Sequence, residues 1–182
     1  MELTKKEKDS LLDIAIKTIA AKVNKKEIPK FTVDSSTLKE KRGAFVTLKK
    51  LGHLRGCIGY IKAVQPLWET VQEMALAAAF HDPRFPSLEP EEIRDLTFEI
   101  SVLSPLQRVK DINEIEVGKH GLYIVRGYSS GLLLPQVAIE YAWEREVFLK
   151  ETCSKAGLPP YSWQDKETEI YIFSVDYFSD AD

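Results

Sequence analysis

Cysteine and histidine are scarce in this 182-residue chain, which holds two of the first, Cys57 and Cys153, and three of the second. Two cysteines cannot build a disulfide framework, and an intracellular chain keeps both as thiols. His53, His81 and His120 show no HxxxH spacing, and there is no CxxC, so no metal site is expected. Long apolar runs are also missing. None approaches the roughly 18 residues needed to span a bilayer, and the opening MELTKKEKDS carries acids where a signal peptide has an apolar stretch. The expectation is a cytoplasmic protein without a membrane role. P-loop, GxGxxG and HExxH motifs are absent too, so no cofactor is expected.

What is present is ordinary globular composition, 44% hydrophobic and 29% charged, which excludes collagen-like and wholly disordered chains. The length suits one domain over residues 1–182. Charge is uneven: the first 62 residues carry 15 Lys/Arg against 7 Asp/Glu, and the remainder 10 against 21. A basic first third would suit RNA if folding kept it together. The overall pI near 5.7 argues against a dedicated nucleic-acid binder, so nucleic acid is not an expected partner.

Thr4 and Glu7 have capping-box spacing, and apolar residues from Leu12 to Val23 recur at steps of three and four, predicting a helix to about residue 23. Residues 24–42 read as a surface connection. AFVTLKK and HLRGCIGYIK predict a hairpin turning near Gly52. Alternation in its second strand would place Arg55, Cys57 and Gly59 on one side. A helix from Pro66 to Phe80, a shaped loop over HDPRFPSLEPEE, a short helix near Glu91 to Leu96 and the strand LTFEISVLS follow. Beyond them the pattern predicts a hairpin turning through Tyr128, Ser129 and Ser130, a helix over 137–155 stopped by Gly157, and one last strand, TEIYIFSVDYF. This order lacks the regular alternation of a parallel sheet and gives an α+β fold, an antiparallel sheet with packed helices.

Cys57 is the sharpest chemical feature, because Gly56 and Gly59 beside it leave room for a ligand or another backbone. Arg55 on the same face would favour the thiolate. The alternative is a small buried hydrophobe. A thiol enzyme needs a base, and His53, roughly 13 Å along the strand from Cys57, is too far for a hydrogen bond; His81 and His120, in loops, are the candidates. Asp82 and Arg84 around Pro83, followed by Phe85, suit an internal salt bridge or a substrate clamp. Gln136, after a proline at a helix start, suits ligand binding or capping.

LRGCIGY, FHDPRFPSL, EISVLSP, VGKHGLYI, LLLPQVAIE and KAGL together resemble the AMMECR domain, whose signature hexapeptide LRGCIG stands at Leu54 to Gly59, and the resemblance spans about residues 8–178. It implies two lobes of unequal size, the larger holding both termini, with a cleft between them. The positions it marks are Arg55, Gly56, Cys57, Gly59, Asp82, Arg84, Phe85, His120, Gly121, Pro135 and Gln136. It also implies kinship with the A component of the AmmeMemoRadiSam system, and hence Memo-like and radical SAM proteins as partners. The activity of the family is not established.

Three functions follow as expectations. The first is a thiol-dependent enzyme acting on a sizeable substrate in the cleft, with Cys57 as nucleophile, Arg55 as electrostatic stabiliser and His81 or His120 as proton carrier, while Gly56, Gly59, Asp82, Arg84, Phe85 and Gln136 bind substrate. The rival is a non-catalytic module whose cleft binds a protein or nucleotide and presents it to partner enzymes. RNA binding by the basic first third stands third. Cys153, at helical spacing from Leu149, is expected to be buried and inert.

Overall fold

The computed structural model describes residues 2–181 and divides into two units, residues 1–103 with 176–182, and residues 104–175. The first begins with α1 (Lys5–Val23), which starts where Thr4 and Glu7 satisfy each other's amides: the Thr4 hydroxyl accepts from Glu7 N–H and the Glu7 carboxylate accepts from Thr4 N–H at 2.8 Å. Hydrogen bonds from the Ser35 hydroxyl and from Thr4 hold the Glu7 carboxyl at about 2. Residues 24–42 include one turn of helix, α2 (Ser36–Lys39), which drops Leu38 into the core.

The hairpin strands β1 (Ala44–Lys50) and β2 (His53–Tyr60) pair antiparallel, and α3 (Leu67–Phe80) follows. With β3 (Leu96–Leu103) and β8 (Val175–Ser179) they make a sheet in the order β2-β1-β3-β8. Buried Ala44, Val46 and Leu48 alternate with half-buried Phe45, Thr47 and Lys49, and Phe98, Ile100 and Val102 sit opposite the buried three in register. This apolar face buries against α1 and α3 in one cluster, each fully buried Leu, Ile or Val contributing roughly 1.5–3 kcal/mol. β2 is an edge strand.

The second unit holds β4 (Gln107–Arg108), β5 (Gly121–Arg126), β6 (Ser129–Leu133), α4 (Pro135–Glu140), α5 (Arg145–Lys155) and β7 (Glu169–Phe173). Its sheet runs β4-β7-β5-β6, and Phe148, Leu149 and Cys153 of α5 pack with Leu122, Ile124, Ile170 and Ile172. Gly157, at φ +72°, ends α5 as its sequence position predicts.

Three expectations are corrected. The helix over 137–155 is two helices, because Ala142 adopts φ +51° and Tyr141 stacks on Trp143 at 5.1 Å. The second hairpin turns at Gly127 and Tyr128, so Ser129 and Ser130 belong to β6. The run TEIYIFSVDYF is two strands in different sheets, parted at Ser174, whose carbonyl accepts from Ser104 N–H at 2.9 Å while its own N–H donates to the Ser104 hydroxyl.

The uneven charge of the sequence does not survive folding. The first unit carries 17 Lys/Arg against 18 Asp/Glu and the second 8 against 10, so neither is basic. Among the described residues no helix is long and apolar enough to cross a membrane, and no cluster of three or more His, Cys, Asp or Glu stands ready for a metal.

Candidate functional site

Cys57 lies in the middle of β2 opposite Thr47 of β1. The residue is half-buried, and the Thr47 hydroxyl donates to Sγ at 3.0 Å. Because β2 is an edge strand, the backbone of Cys57 has no strand on its outer side, and the loop after α3 takes that place. The Cys57 N–H donates to Asp82 Oδ2 at 2.9 Å, and its carbonyl accepts from Arg84 Nη2 at 3.3 Å. Two side chains thus stand in for a neighbouring strand, which satisfies and blunts the edge.

Asp82 is buried, its side chain only 1% exposed, and it binds Arg84 bidentately: Nε to Oδ1 at 3.0 Å and Nη2 to Oδ2 at 2.7 Å, with Arg84 N–H on Oδ1 at 3.1 Å. The Arg84 guanidinium first, with the Cys57 and Arg84 amides, outweighs burial and holds the Asp82 carboxyl well below the usual carboxylate range. Arg84 itself stays half exposed. The Phe85 ring lies near both Arg84, at 5.5 Å, and Arg55, at 6.0 Å.

Arg55 does not attend the thiol. The β1–β2 register slips between Leu48 and Lys49, so that Gly56 opposes Leu48 and Leu54 opposes Lys49, leaving Arg55 as the extra residue of a bulge. Strict alternation fails there, and the expected common face of Arg55 and Cys57 is lost. The buried guanidinium grips Glu92 with Nε to Oε1 at 3.0 Å and Nη2 to Oε2 at 2.9 Å, and Lys50 reaches the same carboxylate at 2.9 Å. Those hydrogen bonds, Arg55's foremost, bring the Glu92 carboxyl down to about 2. The Arg55 Nη1 is buried without a hydrogen-bond partner.

Neither glycine opens space for a ligand. A Cβ at Gly56 would lie 2.1 Å from the Ala78 carbonyl oxygen, so this glycine exists to let α3 approach β2. One at Gly59 would meet the Phe45 ring at 2.3 Å, the cross-strand aromatic that covers it.

Among the described residues no histidine is hydrogen-bonded to the Cys57 sulfur, whose side-chain partner is Thr47. His81 is exposed as the residue that ends α3, and His53 is exposed at the start of β2. His120 belongs to the second unit, where its Nδ1 accepts from Glu116 N–H at 3.1 Å, and Gln136 is exposed on the short helix α4 of that unit. Cys153 is fully buried, and desolvation pushes its thiol up. Of the candidates marked in the sequence, Cys57, Asp82, Arg84 and Phe85 come together, and Thr47, Lys50 and Glu92, which the sequence did not mark, join them or Arg55. A local signal existed for Glu92, three residues after Glu89 in a second capping box, but its partnership with Arg55 depends on packing alone.

Known proteins resemble the chain along most of its length. The AMMECR1 family model matches residues 12–178. A protein of Methanothermobacter thermautotrophicus is 48% identical over 146 residues, covering 77% of this chain and 76% of its own. Protein TK0174 of Thermococcus kodakarensis is 42% identical over 181 residues, covering 93% and 88%. The crystal structure of the uncharacterized protein PH0010 from Pyrococcus horikoshii has the same fold, with a TM-score of 0.85 at 40% identity over 93% of this chain and 89% of that one.

Proposed function

The chain belongs to the AMMECR1 family, and from that premise we propose that its Cys57 segment is a ligand-recognition surface of a non-catalytic module. One observation carries this reading: the charged residues around Cys57 are committed to each other. Asp82 holds Arg84, and Glu92 holds Arg55 and Lys50, so these pairs fix a loop, and among the described residues no acid or base is hydrogen-bonded to the sulfur. What the paired charges present outward is the half-exposed Arg84 guanidinium, the Phe85 ring and the Cys57 thiol. With Nε and Nη2 engaged by Asp82, the guanidinium offers its Nη1 edge beside an aromatic ring, which suits a ligand with anionic or carbonyl oxygens and a flat apolar part, met in both proteins and nucleotides.

In this reading the module presents its ligand to Memo-like and radical SAM partners. Co-expression with those two proteins tests it: wild type and Cys57→Ser should both retain them on purification, and Arg84→Ala should lose them. Loss with Cys57→Ser and retention with Arg84→Ala would overturn it.

A second reading, thiol-dependent catalysis at Cys57, draws support from the partial exposure of the residue and the hydrogen bond its sulfur accepts from Thr47. A hydroxyl donor stabilises charge developing on sulfur, but a nucleophile also needs a group to accept its proton. His81, one residue before Asp82, is the candidate in the same unit. This reading requires a covalent adduct on Cys57 that His81→Ala slows and Thr47→Val weakens.

A further inference from the structure

Away from the Cys57 segment, α3 turns a second face toward an open groove. Its core-facing positions, among them Val71, Met74, Ala75 and Ala78, are buried. The positions between them line a cavity of about 680 Å³ whose far wall is residues 28–31. Trp68, Leu76, Ile28 and Phe31 make the groove apolar, and Glu69 and Glu73, one turn apart on α3, bring carboxylates into it.

The two acids are unequally provided for. Glu73 accepts from the Tyr60 hydroxyl at 2.8 Å and from the Gln65 amide at 2.7 Å. Both donors are neutral, so its charge has no counter-ion. Glu69 is half-buried and has neither a hydrogen-bond nor an ion-pair partner among the described residues. Lys30 is the only cation in the lining, and it pairs with neither. A carboxylate partly withdrawn from water beside an indole ring gains from a cation, which the ring face also attracts.

We propose that this groove docks a basic segment of a partner protein, with a Lys or Arg side chain lying between Trp68 and the two carboxylates and apolar neighbours filling against Ile28, Phe31 and Leu76. The volume is far more than one ammonium or guanidinium group occupies, and it lies within the range of sites that bury larger ligands. Pro29, Lys30 and Glu73 on its rim are exposed, leaving the groove open to an entering chain. The groove shares no residue with the Cys57 surface, so it stands or falls independently of the reading above.

The test uses the whole chain and two capped nonapeptides of equal apolar content, one alternating Lys and Leu, the other Glu and Leu. Trp68 reports binding through its fluorescence, and Trp68→Phe identifies its contribution against Trp143 and Trp163. The Lys/Leu peptide should shift Trp68 emission, the Glu/Leu peptide should not, and binding should weaken with salt. Glu69→Gln with Glu73→Gln, which keeps shape and leaves an acceptor for Tyr60 and Gln65, should weaken the basic peptide about 5- to 10-fold. Equal response to both peptides, or unchanged affinity in the double variant, would overturn the proposal. So would n-hexylammonium binding as tightly as the peptide, which would make the site one for a free organic cation.

Discussion

Replacing Gly56 by alanine drives a methyl group into the backbone of α3. The new Cβ would stand 2.1 Å from the Ala78 carbonyl oxygen and 3.0 Å from its carbon, where ordinary contact begins at 3.4 Å, so strand and helix must part by about 1 Å. Overpacking of this kind costs about 1–3 kcal/mol. The same displacement pulls Cys57 N–H from Asp82 Oδ2, now at 2.9 Å, a hydrogen bond to a charged group worth about 1.5–3 kcal/mol. A loss of about 3 kcal/mol is therefore expected, a large share of the roughly 5–15 kcal/mol of a typical domain. Chemical denaturation followed by far-UV circular dichroism reads it, and the melting temperature should fall by roughly 6–12 °C. Because the obstacle is a backbone carbonyl, adding Ala78→Gly should not restore stability. A loss under about 1 kcal/mol, or rescue by Ala78→Gly, would refute the account of why glycine stands beside the cysteine.

The two thiols should separate cleanly under alkylation: Cys57, half-buried at the surface of an edge strand, reacts in the native protein, whereas Cys153, fully enclosed by α5 and its sheet, reacts only on unfolding. Mass mapping of the adducts decides it, and native labelling of Cys153 first would contradict the packing. Glu92→Gln leaves Arg55 and Lys50 facing a neutral amide and should cost about 3 kcal/mol, the penalty of breaking a largely buried pair. Acid titration of stability offers an independent check. The folded-state carboxyls of Glu7 and Glu92 sit at about 2 against an ordinary 4.5, so their stabilisation is present above pH 4.5 and is lost as pH falls toward 2. Glu92→Gln should flatten part of that decline, and an unchanged slope would show that Glu92 is not held ionised. Asp82→Asn should loosen residues 82–89, read as faster proteolysis within that loop, since Arg84 and the Cys57 amide lose their shared anion; protection equal to wild type would refute it.

The local parts of the fold were legible wherever short-range chemistry decides. The Thr4–Glu7 box, the α1 and α3 stripes and the β1–β2 hairpin follow from spacing of three, four or two. The break between α4 and α5 carries no glycine or proline to announce it; Ala142 turns left-handed because Tyr141 and Trp143 stack and Trp143 N–H returns to the Ala138 carbonyl. Likewise β7 and β8 read as one strand, because their residues are equally β-prone and only pairing with β5 on one hand and lying beside β3 on the other divides them.

The sequence by itself determined the α+β class and the family, and its letters already single out LRGCIG and the Asp82–Phe85 loop as candidates. Tertiary structure alone decided what those residues do. A single register slip across β1 and β2 moved Arg55 from the thiol to Glu92, 37 positions away in the chain. The free edge of β2 assigned Asp82 and Arg84 to the backbone of Cys57. Both outcomes depend on which distant groups packing brings within hydrogen-bond reach, and no periodicity along one strand carries that information.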